Sequence, residues 1–343
     1  MRALVLKEFG SMSVEELPTP SPDSGHILIR VKATGICGSD LHGFTGENGR
    51  RVIGQVMGHE SVGTIVELGE RVDPVRFMMG STVTFNPVLV PEDQANEYKG
   101  REQHAPGKKV IGVAPDIIAA FAEFISVPST NVIVLPESMP VNYGALIEPI
   151  AVALHAVRRM DARSGDKILV IGGGPIGQST VLAAQFEGIE DILVSEIDEA
   201  RRELCARLGA TVIDPSVEPV SQQVIRHFGR LADVTIDAVG ISGTISDALN
   251  STRLGGSMCL VGMGAPRVDL DAYRVSTEER TVVGSFTFSD QDFRDAAAYV
   301  ASAPSALSHL ISREVPLVDG PEAFKSLASH DGTPGKVLVR LDI

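Results

Sequence analysis

The apolar positions along this 343-residue chain change rhythm near its middle. From residue 1 to about 135 they come in short runs broken by glycine and proline. Examples are Ile27-Leu28-Ile29-Arg30-Val31-Lys32, Ser61 to Leu68, Thr82 to Phe85 and Phe121 to Val127. Such spacing predicts short strands joined by turns, an irregular barrel-like β domain. From about 150 to 286, apolar strands alternate with helix-length segments. The strands read as Lys167–Ile171, Asp191–Val194, Asp233–Asp237, Met258–Val261 and Thr281–Gly284. That alternation is the mark of βαβ units on a parallel sheet. After about 287 the pattern predicts a helix over Asp292 to Ala301 and a strand over Lys336 to Leu341. This tail is too short to form a domain alone and is expected to return to the first one. The polar stretch 91–109 reads as a surface lobe.

Gly172-Gly173-Gly174-Pro175-Ile176-Gly177 matches G-x-G-x-x-G, with a strand before it and a helix pattern (Ile176 to Phe186) after it. The glycines permit a tight turn, a close backbone approach to a pyrophosphate and close helix–strand packing. The helix N-terminus then offers free N–H groups to the phosphates. Glu196 follows Gly177 by 19 residues, where an acid holds the ribose hydroxyls. A carboxylate there repels a 2′-phosphate, so NAD is expected, with NADP kept as the alternative by the nearby Arg201 and Arg202. A solvated loop acid is the rival reading of Glu196. Val239, in Asp237-Ala238-Val239-Gly240 at the end of a strand, is expected to edge the nicotinamide side of the cleft.

Composition narrows the partners. The net charge is −14, which disfavours nucleic acid and an anionic membrane surface. No signal-peptide region or membrane-length apolar run is present. The three cysteines, Cys37, Cys205 and Cys259, lack disulfide spacing, so a reducing cytoplasm is expected. Cys205 and Cys259 fall in helix and strand patterns and read as core.

Cys37 lies in Gly35-Ile36-Cys37-Gly38-Ser39-Asp40, and His59-Glu60 follows Gly58. A thiolate, an imidazole and a carboxylate are the donor types of a catalytic zinc site. Asp40 offers a carboxylate for the second ring nitrogen of a ligating histidine. Glu148, in the apolar helical stretch Gly144 to Ile150, is costly to bury unless paired or bound to a cation.

With Glu148-Pro149, the glycine motif and the terminal Gly335-Lys336-Val337-Leu338-Val339, these motifs resemble the zinc-dependent medium-chain dehydrogenase/reductases of the alcohol dehydrogenase type. The resemblance spans essentially the whole chain and is greatest to the polyol (sorbitol, butanediol) and threonine dehydrogenase branch. It implies an α/β fold: a GroES-like β-rich catalytic domain over 1–147 and 287–343, and a Rossmann doubly wound parallel sheet domain over 148–286. It implies that Cys37 and His59 bind zinc and that Glu60 and Glu148 complete or exchange in the coordination shell. It places Ser39 as proton acceptor from the substrate alcohol and His42 as the solvent-side end of that relay, through ribose. The implied reaction is hydride transfer between a secondary alcohol or polyol and NAD, in a homodimer or homotetramer. A threonine-type amino-acid dehydrogenase and a zinc-free or non-catalytic nucleotide-binding member are the rivals. A second, structural zinc is common in the family, bound by four cysteines. Aligned on Lys99-Gly100-Arg101-Glu102, those positions hold Pro91, Gln94, Glu97 and Ala105, so one zinc per chain is expected. Phe44, Met57, Phe121 and Phe288 are candidate pocket walls.

Overall fold

The computed structural model describes every residue of the chain except Asn48. The chain divides into two units, residues 1–148 with 289–343, and residues 149–288.

In the first unit the strand His26–Gly35 is central to a seven-stranded sheet. Its apolar positions are buried, and it pairs antiparallel with Glu60–Leu68 along its length. Along its other edge it pairs with Phe124–Pro128 near its start and with Lys336–Arg340 near its end. The C-terminal strand therefore lies in the same sheet as residues from the beginning of the chain. The register puts Gly35 opposite both Glu60 and Leu338. The apolar pattern predicts one strand running from Phe121, but the observed strand starts at Phe124. The residues Phe121 to Glu123 turn to other backbones: Phe121 N–H donates to Met57 O at 2.9 Å, and Leu4 N–H donates to Phe121 O at 2.8 Å.

The 91–109 lobe is closed at its base by the short antiparallel pair Val88–Leu89 and Lys109–Val110. Inside it, Gln94 Oε1 accepts from Gly107 N–H at 3.0 Å, and the Arg101 guanidinium lies over the Tyr98 ring at 5.1 Å. Glu102 accepts from the N–H groups of Gly100 and Asp290 at 2.7 and 2.9 Å. Ala105 is buried.

The second unit is a six-stranded sheet in the order Thr211–Ile213, Asp191–Ser195, Lys167–Ile171, Ala232–Asp237, Thr252–Leu260, Thr281–Gly284. All neighbouring pairs are parallel, with helices between successive strands, so the sheet is of the Rossmann type. The order reverses beside Lys167–Ile171, whose C-terminal end is where such sheets bind ligands. Among the described residues no helix is long and apolar enough to cross a membrane.

Candidate active site

The residues at the end of the strand His26–Gly35 define the site in the first unit. The strand ends at Gly35, and two residues later Cys37, in extended backbone, begins the helix Gly38–Thr45. His59 stands one residue before the strand that pairs with Gly35, and Glu60 opens that strand. Donor atoms of Cys37, His59 and Glu60 all lie within 4.8 Å of one another. Gly35 makes room for this: a Cβ there would stand 2.2 Å from Glu60 Oε2.

Glu60 and Lys336 form a buried ion pair, with the Lys336 ammonium on Glu60 Oε1. Lys336 opens the C-terminal strand and also donates to Ile36 O at 3.3 Å. It is only 4% exposed. Burial alone would favour its neutral form, but Glu60, Cys37 and Glu148 together hold its pKa above the ordinary lysine value. In the sequence Lys336 reads only as part of a terminal motif. The signal that marks it is a lysine opening an otherwise apolar strand, since a charge facing a core requires a partner.

Among the described residues the other Glu60 oxygen, Oε2, is buried and has no hydrogen-bond partner, and neither does His59 Nδ1. Nδ1 stands 3.6 Å from Asp40 Oδ1, and Asp40 Oδ2 accepts from Cys37 N–H at 3.2 Å. Burial pushes the Asp40 carboxyl up, against the pull of His59 and Arg51. Burial and then the Glu60 charge push the Cys37 thiol up to about 12, partly offset by Lys336 and by the neighbouring Ser39 side chain. A site that raises a thiol pKa and leaves a buried carboxylate oxygen without a donor favours a cation, which reverses that balance by deprotonating its sulfur ligand. Sulfur, nitrogen and oxygen donors at this spacing fit zinc.

Glu148 lies in the first turn of the helix Ile147–Arg159 and is 8% exposed. Among the described residues it is not part of the compact donor group. Its carboxyl is nevertheless pushed up to about 8 by burial, and then by Glu60 and Cys37 against His59. Ser39 and His42 are three residues apart on one helix and so share a face; both are partly exposed. The candidate pocket walls are corrected by the structure. Phe44, Met57, Phe121 and Phe288 are buried core residues, and Phe44 and Phe121 pack on Phe324 with ring centroids 5.6 and 5.4 Å away.

In the second unit, Gly172 has φ +95°, and a Cβ on Gly177 would stand 1.8 Å from Gly172 O, so both positions require glycine. Gly174 caps the helix Pro175–Phe186, with Pro175 in its first turn and Ile176 following. Glu196 is buried rather than solvated, which removes the loop-acid reading. Its carboxylate accepts from Gly173 N–H at 2.6 Å and from Asp198 N–H at 2.8 Å. The two arginines separate. Arg202 is fastened to the carbonyls of Glu196 and Ile197 and to Asp214. Arg201 makes no side-chain hydrogen bond or ion pair among the described residues, and its Nη1 is 4.0 Å from where a Gly174 Cβ would stand. Val239 Cγ2 would lie 2.6 Å from a Cβ on Gly172, so these strand-end loops meet closely. Cys205 and Cys259 are buried, and burial pushes both thiols up to about 12.

This architecture and donor set are those of a zinc-binding dehydrogenase. The alcohol dehydrogenase GroES-like domain matches residues 23–137, and the zinc-binding dehydrogenase domain matches residues 175–302. Probable D-xylulose reductase A of Emericella nidulans is 30% identical over 340 residues, covering 96% of this chain and 94% of that protein. Sorbitol dehydrogenase 1 of Saccharomyces cerevisiae is 29% identical over 349 residues, covering 98% and 97%. The structure of 2R,3R-butanediol dehydrogenase from Bacillus subtilis superposes with a TM-score of 0.89 at 27% identity, covering 99% of each chain. The chain belongs to the zinc-dependent medium-chain alcohol and polyol dehydrogenase family, and it is an oxidoreductase.

The buried charges have two measurable consequences. Lys336→Met leaves the Glu60 carboxylate buried and alone, and breaking such a pair costs about 3–5 kcal/mol. Urea denaturation of the metal-free protein is expected to show that loss, with most of it recovered in Lys336→Met/Glu60→Gln. An equal loss in the double variant would mean that Lys336 acts through packing instead. The raised Glu148 pKa means that the folded state binds a proton which the unfolded chain releases above its ordinary carboxyl value. That contribution is full below about pH 4.5 and is lost as pH rises toward about 8. The stability of the metal-free wild type is therefore expected to fall across that window relative to Glu148→Gln. A constant difference between the two would show that Glu148 is not held protonated.

Proposed function

We propose that the chain transfers hydride between a secondary alcohol or polyol, or the matching ketone, and NAD, using one catalytic zinc ion per chain. The observation that carries this reading is the buried, donorless Glu60 Oε2 beside Cys37 and His59. In this reading Cys37 and His59 hold the ion, Glu60 completes the shell, and Glu148 exchanges into it. When bound, zinc supplies a Lewis acid that polarises the substrate oxygen and lowers the pKa of an alcohol.

The chain's own groups then direct the proton. Ser39 accepts it from the substrate hydroxyl, and His42, one turn along the same helix, hands it to solvent. Asp40 orients His59 through Nδ1. Lys336 holds one Glu60 oxygen and leaves the other for the ion. In the second unit, Gly172, Gly174, Pro175, Ile176 and Gly177 form the pyrophosphate cradle. Glu196 takes the ribose hydroxyls, and Val239 edges the nicotinamide side. Arg201 is the uncommitted cation on which acceptance of NADP would depend.

Relatives named for sorbitol, D-xylulose and 2R,3R-butanediol support a polyol or secondary alcohol as substrate. The cysteine-free lobe, held by the Gln94, Arg101 and Glu102 contacts, supports a single zinc. The exposed edge strand Thr281–Gly284 supports pairing into a homodimer or homotetramer.

Metal analysis of purified protein is expected to give one zinc per chain. None bound, with activity intact, would sink the zinc mechanism, and two would overturn the reading of the lobe. Cys37→Ser and His59→Ala are expected to abolish oxidation across a panel of polyols and secondary alcohols while NAD still binds. Turnover of β-hydroxy amino acids alone would instead favour a threonine-type enzyme. Glu196→Ala is expected to lower the preference for NAD over NADP about tenfold, equivalent to ~1.4 kcal/mol. A wild type that already prefers NADP would contradict the role given to Glu196.

A further inference from the structure

Arg51 is 4% exposed, and its Nε and Nη2 have no hydrogen-bond partner among the described residues. Arginine is charged at every relevant pH, and a buried charge is tolerated only where an opposite charge faces it. The facing anion is Asp40, whose Oδ1 is 3.8 Å from Arg51 Nη2. The same Oδ1 is 3.6 Å from His59 Nδ1, while Oδ2 is tied to Cys37 N–H. One carboxylate oxygen thus stands between an imidazole and a permanent cation.

A second feature shows that the arginine is built in. Gly43 lies in the helix Gly38–Thr45, on its buried side. A Cβ there would stand 2.5 Å from Arg51 Cγ and 3.1 Å from Nε. The helix gives up a side chain, and accepts glycine's entropic penalty in a helix interior, where the arginine stem passes.

We propose that Arg51 is a positioning residue whose fixed charge holds the Asp40 carboxylate against His59 Nδ1, leaving the other ring nitrogen free for the metal. A histidine that binds a metal through one nitrogen gives its other N–H to a carboxylate or carbonyl, which sets the tautomer and the ring orientation. A histidine that binds a metal does so as a neutral imidazole, so the fixed positive charge beside Asp40 has to come from elsewhere. Arg51 supplies it in every state. The inference rests on the zinc reading above, and it extends the site to a residue that is not among the metal donors.

The test is zinc release from the holoenzyme into excess chelator, with the melting temperature followed as a check on folding. Arg51→Met is expected to release zinc about 10- to 100-fold faster than wild type, and Arg51→Lys to lie closer to wild type than to Arg51→Met. In an Asp40→Asn background, Arg51→Met is expected to add little, because its effect passes through Asp40. Wild-type release from Arg51→Met, or its full effect persisting in Asp40→Asn, would overturn the proposal. Should Arg51→Met fail to fold, Gly43→Ala, which keeps the charge but takes its space, carries the same expectation in both backgrounds. Cys37→Ser separates the two readings. If it retains as much zinc as wild type, the metal site itself is wrong; if it loses zinc while Arg51→Met does not, only the role of Arg51 fails.

Discussion

The buried pair of Glu60 and Lys336 is the contact around which the catalytic unit is organised. It joins a strand near the start of the chain to the strand that ends it, 276 residues apart in sequence. A charge pair in such surroundings is tolerated only with good geometry and further hydrogen bonds, and removing one partner is far more damaging than replacing both. The sheet supplies that geometry. Gly35 sits opposite Glu60 on one side and Leu338 on the other, so a single register fixes both charged side chains. The space vacated by the missing Gly35 side chain is where the second Glu60 oxygen lies. A slip of one residue in either strand would turn its charge to the other face of the sheet and break the pair, so the pair also enforces the alignment that created it.

From this pair follows the electrostatic character of the site. Lys336 satisfies one oxygen of one carboxylate, yet Glu148, Asp40 and the Cys37 thiol each feel the Glu60 charge. Burial first, and then the neighbouring acids, push Glu148 and Cys37 up to about 8 and about 12. The compact donor group and the displaced proton affinities are therefore two views of one condition. The protein is arranged for more positive charge than its own side chains bring to that spot.

How much of this is legible in the sequence depends on how far apart the interacting residues lie along the chain. The glycine turn from Gly172 to Gly177 spans six residues, and its acid Glu196 follows directly after the next strand. Its whole logic is local, and the strand–turn–helix pattern reveals it. Cys37 and His59 are marked by their glycine-flanked motifs. Arg51 has no such flag, and the terminal motif that contains Lys336 does not reveal its role, because each gains its meaning only from a carboxylate brought to it by folding. The same limit explains the misread aromatics. Phe44 and Met57 lie near the metal motifs in sequence, but proximity to a motif says nothing about which way a side chain points. The Phe44 and Phe121 rings pack against Phe324, near the far end of the chain. The short strand Thr211–Ile213 escapes a sequence reading because three residues carry too little periodicity to separate a strand from a loop.

Glu196 shows how a local motif still gains meaning from the fold. Read from sequence, it is an acid placed to meet ribose. In the structure its two oxygens also hold the N–H groups of Gly173 and Asp198, which ties the glycine turn to the end of the neighbouring strand. A carboxylate fixed by two backbone donors keeps further lone pairs for ligand hydroxyls, and it has little freedom to swing away from a 2′-phosphate. In the proposed reading of Glu196, discrimination against that phosphate would follow from how the turn is braced, and the freedom of Arg201 would matter more because Glu196 has none. The two halves of the enzyme solve the same problem in this way. In each, a buried carboxylate is immobilised by the backbone or by a fixed cation, so that the chemistry left to its remaining lone pairs is set by the fold.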